Sequence, residues 1–87
     1  MKLTVNMSQY RALNALRGVP DGVHMMTMCS RRTADGAEIE GAESDFRALV
    51  EFVGEEVAEG LVVGGGARAL VALCEEIEPG CSEWMFG

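Results

Sequence analysis

Phe46, Leu49, Val50, Val53 and Val57 recur at intervals of three and four residues, a spacing that puts all five on one stripe of an α-helix and on no single face of a strand. Ser44 offers an N-cap, and Asp45 brings an acid to the first turn, where the helix dipole favours one. Gly60 supplies the stop. A helix with one apolar stripe must bury it against something, so the rest of the chain is read for its partners.

Lys2 to Met7 alternates Leu3, Val5 and Met7 with Lys2, Thr4 and Asn6, the period of a half-buried strand. Ser8 is the expected N-cap of a following helix through Tyr10, Leu13 and Leu16, with Met7 as its hydrophobic staple and Gly18 and Pro20 as its stop. Asp21-Gly22 reads as a turn, and Val23 to Arg32, rich in Val, Met and Thr, reads as a second strand. Asp35-Gly36 is a hairpin signal. With those two as the turn, Arg32 faces Ile39 and Arg31 faces Glu40, while Met26, Met28, Ala37 and Ile39 share the core face. Leu61 to Val63 and Gly64 to Gly66 form a connection. A last helix from Ala67 to Glu78 turns Leu70, Leu73, Cys74 and Ile77 inward and ends at Pro79-Gly80. The order expected is β-α-β-β-α-α. That is an α+β fold, a three-stranded sheet with helices packed mainly on one face, in one domain spanning residues 1–87 with an exposed or swapped tail at 80–87.

Charge is laid out unevenly. Met1–Ala34 carries five basic residues and one acid, Asp35–Glu59 nine acids against Arg47, and Gly60–Gly87 four acids against Arg68, for a net charge of −7. Such an oriented field steers partners rather than folds. The low isoelectric point, about 4.5, and the lack of a dense basic stripe argue against direct nucleic-acid binding. No apolar run approaches the roughly 18 residues of a membrane span. Cys29, Cys74 and Cys81 are odd in number and irregularly spaced, as expected of free thiols in the cytoplasm.

Phe52 stands out because on the helical wheel it falls among Asp45, Glu51, Glu55, Glu56 and Glu59, away from the apolar stripe. An aromatic on a charged face is a candidate interface anchor. Trp84 and Phe86 bring large apolar groups to the tail, where they need a seat on this chain's own core or in a neighbour's groove. Catalytic signals are weak. On a regular strand the five-residue separation of His24 and Cys29 turns them to opposite faces. The Gly64 to Gly66 turn lacks the spacing of a phosphate-binding loop, and the cysteines lack the paired spacing of a zinc site. The expectation is a non-catalytic, self-associating protein-interaction module without metal or cofactor. Its surface is the acidic helix face around Phe52, joined by Trp84 and Phe86, and its partner is another protein or a second copy. Two alternatives stand beside it. One is an acidic inhibitor, phage-type in size and charge, that occupies a basic nucleic-acid-binding groove. The other is a small enzyme using Cys29 or the Gly64–Gly66 turn.

Overall fold

The structure is a computed structural model that describes residues 1–60, 64–81 and 83. Its elements are β1 (Lys2–Asn6), α1 (Met7–Ala15), α2 (Asp21–Met28), β2 (Arg31–Arg32), β3 (Gly36–Glu40), α3 (Glu43–Ala58) and α4 (Gly64–Ile77). The strands form one antiparallel sheet in the order β1-β3-β2, so the third strand in sequence is the central one. This is the expected α+β class, with one helix more than the sequence pattern suggests.

Pairing of β1 with β3 sets Leu3 against Ile39 and Val5 against Ala37, and these four share one face. Val5, Ala37 and Ile39 are buried there, with Leu3 half-covered. The core continues through Leu13, Val23, Met26, Phe46, Leu49, Val50, Val53, Leu70, Leu73 and Cys74, contributed by all four helices. The opposite face carries Lys2, Thr4, Glu38 and Glu40. Lys2 Nζ lies 3.6 Å from Glu38 and 4.0 Å from Glu40. Alternation along β1 and β3 therefore does what a one-sided antiparallel sheet requires.

The apolar stripe from Phe46 to Val57 lies on α3. Phe46, Leu49, Val50 and Val53 are buried and Val57 packs on them. The helix begins two residues earlier than expected. Ala42 is the N-cap and makes no side-chain cap, while Ser44 lies exposed in the first turn beside Glu43 and Asp45. Two acids near the dipole compensate for the missing cap. The helix ends with Gly60 at φ +73°, a left-handed position that glycine takes without a Cβ penalty.

Four expectations require correction. The run from Val23 is not a strand: Asp21–Met28 is helix α2, and only Arg31–Arg32 pairs in the sheet. Pro20 at its N-cap and Asp21 in its first turn are helix-start features. Val23 and Met26 then bury one side, and the Thr27 hydroxyl donates to the Val23 carbonyl one turn back. Met28, expected in the core, is 70% exposed.

The hairpin turn is also displaced. Arg31 faces Glu38 and Arg32 faces Ala37, and Thr33 donates to the Gly36 carbonyl, so Ala34-Asp35 makes the turn. Gly36 is instead a buried strand residue opposite Asn6, where the main chain of Val5 and Asn6 leaves no room for a side chain.

The first helix is capped by Asn6, not Ser8. Gln9 N donates to Asn6 Oδ1 at 2.8 Å, and Asn6 N donates to Gln9 Oε1 at 2.9 Å, a reciprocal capping box. That pair explains why Gln9 is a buried polar side chain. Finally, Gly64–Gly66 opens α4 rather than forming a connection; Leu61 to Val63 lie outside the described residues.

Candidate interaction surface

With its stripe turned to the core, α3 presents its far side outward. Glu51, Glu55 and Glu59 are exposed, while Phe52 and Glu56 are half-buried. Phe52 is absent from the hydrophobic residues packed on the core among the described residues. Ion pairs among the described residues are confined to Lys2 with Glu38 and Glu40, so Glu51, Glu55, Glu56 and Glu59 keep uncompensated charge. The helix thus carries an aromatic ring beside a row of carboxylates one turn apart.

Asp45, expected in the same set, is drawn towards α2. Its carboxylate sits against Gly22, where even a methyl group would collide with it. A carboxylate at the first turn of α2 is favoured by that helix's dipole, so glycine at position 22 serves the packing of α2 on α3. This role depends on α2 being a helix, and a strand reading of 23–32 hides it. Trp84 and Phe86 lie outside the described residues.

A second cluster escapes sequence reasoning altogether. The Arg32 guanidinium lies 5.2 Å from the centre of the Tyr10 ring, and the Ser30 hydroxyl donates to Tyr10 Oη at 3.4 Å. Hydrogen bonds from Ser30 and then Asn14 hold the Tyr10 phenol below its ordinary pKa, and the nearby Arg32 charge adds to the effect. Arg32, opposite Ala37 in the observed register, lies on the Tyr10 side of the sheet. The ring and cation tie α1 to the short strand β2.

The residues weighed for chemistry are scattered. His24 lies on α2 and Cys29 just beyond its end, both exposed. Helical spacing leaves them about 140° apart around the axis, so on this helix, as on a strand, they point away from one another. Cys74 and Cys81 are both buried. Burial, reinforced by the neighbouring Cys81, pushes the Cys74 thiol up to about 12; burial raises Cys81 as well. A thiol held so firmly in its neutral form is a poor nucleophile and a poor metal ligand. Among the described residues no three His, Cys, Asp or Glu side chains group as a metal would need.

Two surface clefts are small. One of about 180 Å³ is bordered by Met1, Glu43, Arg47, Val50, Ile77 and Glu78; the other, about 150 Å³, by Leu13, Asn14, Val19, His24, Thr27 and Met28. Both fall short of the ~300–1,000 Å³ usual for small-molecule sites, and Cys29 borders neither. No helix among the described residues is long and apolar enough to cross a membrane. Comparison of the chain with protein-family models, curated proteins and solved structures finds no match.

Proposed function

We propose that this chain is a small acidic protein-interaction module that acts by occupying a partner's surface rather than by catalysis. The contact surface is the outer side of α3, with Phe52 as anchor and Glu51, Glu55, Glu56 and Glu59 as its rim; Trp84 and Phe86 of the tail add a second apolar contribution. The observation that carries this reading is the division of labour on α3. The helix satisfies its burial with Phe46, Leu49, Val50 and Val53, and still keeps a half-exposed aromatic beside acids that have no ion pair among the described residues. Aromatic anchors inside a charged rim are the usual anatomy of a binding hot spot.

The row Glu51, Glu55 and Glu59, one turn apart and without ion pairs among the described residues, favours a second form of the same reading. In it the carboxylates stand in for phosphates and occupy a basic groove of a nucleic-acid-handling protein. Salt separates the two forms: a carboxylate-driven complex weakens strongly as ionic strength rises, whereas one driven by Phe52 persists.

The test is affinity capture from native lysate with wild type, Phe52→Asp and Glu55→Arg, identifying retained proteins by mass spectrometry. Each variant is checked for an unchanged circular dichroism spectrum and melting curve. A protein held by the wild type and lost with both folded variants supports the module. Equal recovery by all three removes the α3 face from consideration.

A further inference from the structure

We propose that the free edge of strand β1 is a self-pairing seam, through which two copies join their sheets into one six-stranded antiparallel sheet. This goes beyond the α3 surface and does not depend on it.

Part of the backbone of β1 is already paired with β3. Met1 N donates to the Gly41 carbonyl at 2.9 Å, and Gly41 N returns the bond to Met1 at 3.0 Å. Met1 and Gly41 are therefore a hydrogen-bonded pair in the antiparallel ladder. Such pairs alternate with non-bonded ones, so Leu3 and Val5 also aim their N–H and C=O groups at β3. Lys2 and Thr4 aim theirs away from the sheet, and among the described residues nothing answers them. The row stops at Asn6, whose N–H is taken by Gln9. The edge thus holds two donors and two acceptors in an extended five-residue strand, the arrangement that templates pairing with another strand.

A second copy fits it in one register. Centring the two-fold axis on Leu3 sets Lys2 opposite Thr4 of the second copy and Thr4 opposite its Lys2. Both are then hydrogen-bonded pairs, and all four free groups of each chain are satisfied. Leu3 meets its own copy as a non-bonded pair on the apolar side, and Val5 meets Met1. Leu3 is only half-covered and Met1 is 46% exposed, so the seam covers the two apolar groups the isolated sheet leaves open.

Charge agrees with the same register. Lysine on an edge strand usually guards against pairing, but here Lys2 is already matched by Glu38 and Glu40. Across the seam it lies beside the short Thr4, beyond which stands Glu38 of the second copy, within reach of a lysine stem. No like charges lie directly opposite. The other sheet edge offers no comparable template: β2 is two residues long, and both are arginines.

The test is the mass of the protein by sedimentation velocity across a concentration series, for wild type, Thr4→Pro and Phe52→Asp. Proline at position 4 removes an N–H that has no partner among the described residues, and edge strands tolerate it there. A register probe accompanies it: Leu3→Cys in a Cys29→Ser background, with Thr4→Cys as its control. Opposed non-bonded residues sit about 4.5 Å apart at Cα, within disulfide range, whereas two copies of residue 4 are diagonal neighbours about 7–8 Å apart. The expected result is a dimer in wild type and Phe52→Asp, a monomer for Thr4→Pro with an unchanged circular dichroism spectrum, and a covalent dimer for Leu3→Cys alone. A monomeric wild type at every concentration overturns the seam. So does a dimer that Thr4→Pro leaves intact or that Leu3→Cys fails to cross-link.

Discussion

Replacing Gly36 with alanine tests the placement of the hairpin more sharply than any other single substitution. A Cβ at position 36 overlaps the Val5 carbonyl oxygen and lies 2.8 and 2.9 Å from the carbonyl carbon and Cα of Asn6. All three atoms are main chain, so no side-chain rotation relieves them. Strand β1 has to move away from β3 at this end, straining the Val5–Ala37 pair with its two ladder bonds and the start of α1. Overpacking of this kind costs about 1–3 kcal/mol, and each weakened hydrogen bond adds about 1 kcal/mol. Alanine's smaller unfolded-state entropy returns up to about 1 kcal/mol. The net expectation is a loss of about 2–4 kcal/mol, large against the ~5–15 kcal/mol total of a small domain. Urea unfolding followed by circular dichroism measures it, with the slope of the transition checked against wild type. The backbone of Gly36 is not left-handed, so without the contact alanine would be neutral or stabilising. A neutral or stabilised variant therefore refutes the placement of Gly36 inside strand β3.

Two further predictions follow from burial. Phe46→Ala removes a fully buried ring and is expected to cost about 3–5 kcal/mol, whereas Phe52→Ala is expected to cost about 1 kcal/mol or less; equal losses in urea unfolding would mean that α3 is rotated from the phase described. Stability should also fall in alkali on account of Cys74, whose thiol is raised from 9.0 to about 12 in the fold. The unfolded chain releases that proton as pH passes about 9 while the folded chain keeps it, so the contribution is complete below that pH and declines towards about 12. Between about pH 8 and about pH 10 the wild type should lose about 1 kcal/mol more than Cys74→Ala in the same urea assay. Parallel pH profiles for the two proteins would contradict it.

The parts of this fold that could be read from the sequence are those where one local signal dominates. The stripe of α3 is five residues repeated over three turns, and nothing competes with it. The region after Pro20 is different, because eight residues offer only Val23 and Met26 as a buried pair, which serve a short helix or a strand almost equally well. There the β-branched and threonine content outweighs Pro20 and Asp21, and tertiary packing decides the other way. The Asp35-Gly36 signal misleads for a spatial reason: glycine is required at 36 by the approach of Val5 and Asn6, 30 residues away in the chain, rather than by a turn. Of the candidate surface, Phe52 was visible from its wheel angle alone. The tie of Asp45 to Gly22 was not, since it exists only once α2 is helical.

Folding also sorts the charge in a way that composition conceals. The acid-rich segment from Asp35 to Glu59 divides between β3 and α3. On β3, Glu38 and Glu40 are answered by Lys2, so the outer face of the sheet and the β1 edge are close to electrically balanced. On α3 no base answers Glu51, Glu55, Glu56 and Glu59 among the described residues, and the field of the molecule issues from that side. Two associations through these two surfaces therefore respond oppositely to conditions. In the groove-occupying form of the proposal, contact through α3 would depend on carboxylates in water and would be screened over about 10 Å at moderate salt. Pairing through β1 depends on backbone hydrogen bonds and buried Leu3 and Met1, which added salt leaves in place. On the two proposals together, added salt is therefore expected to release a partner held by the acidic carboxylates while it leaves a β1-paired dimer intact.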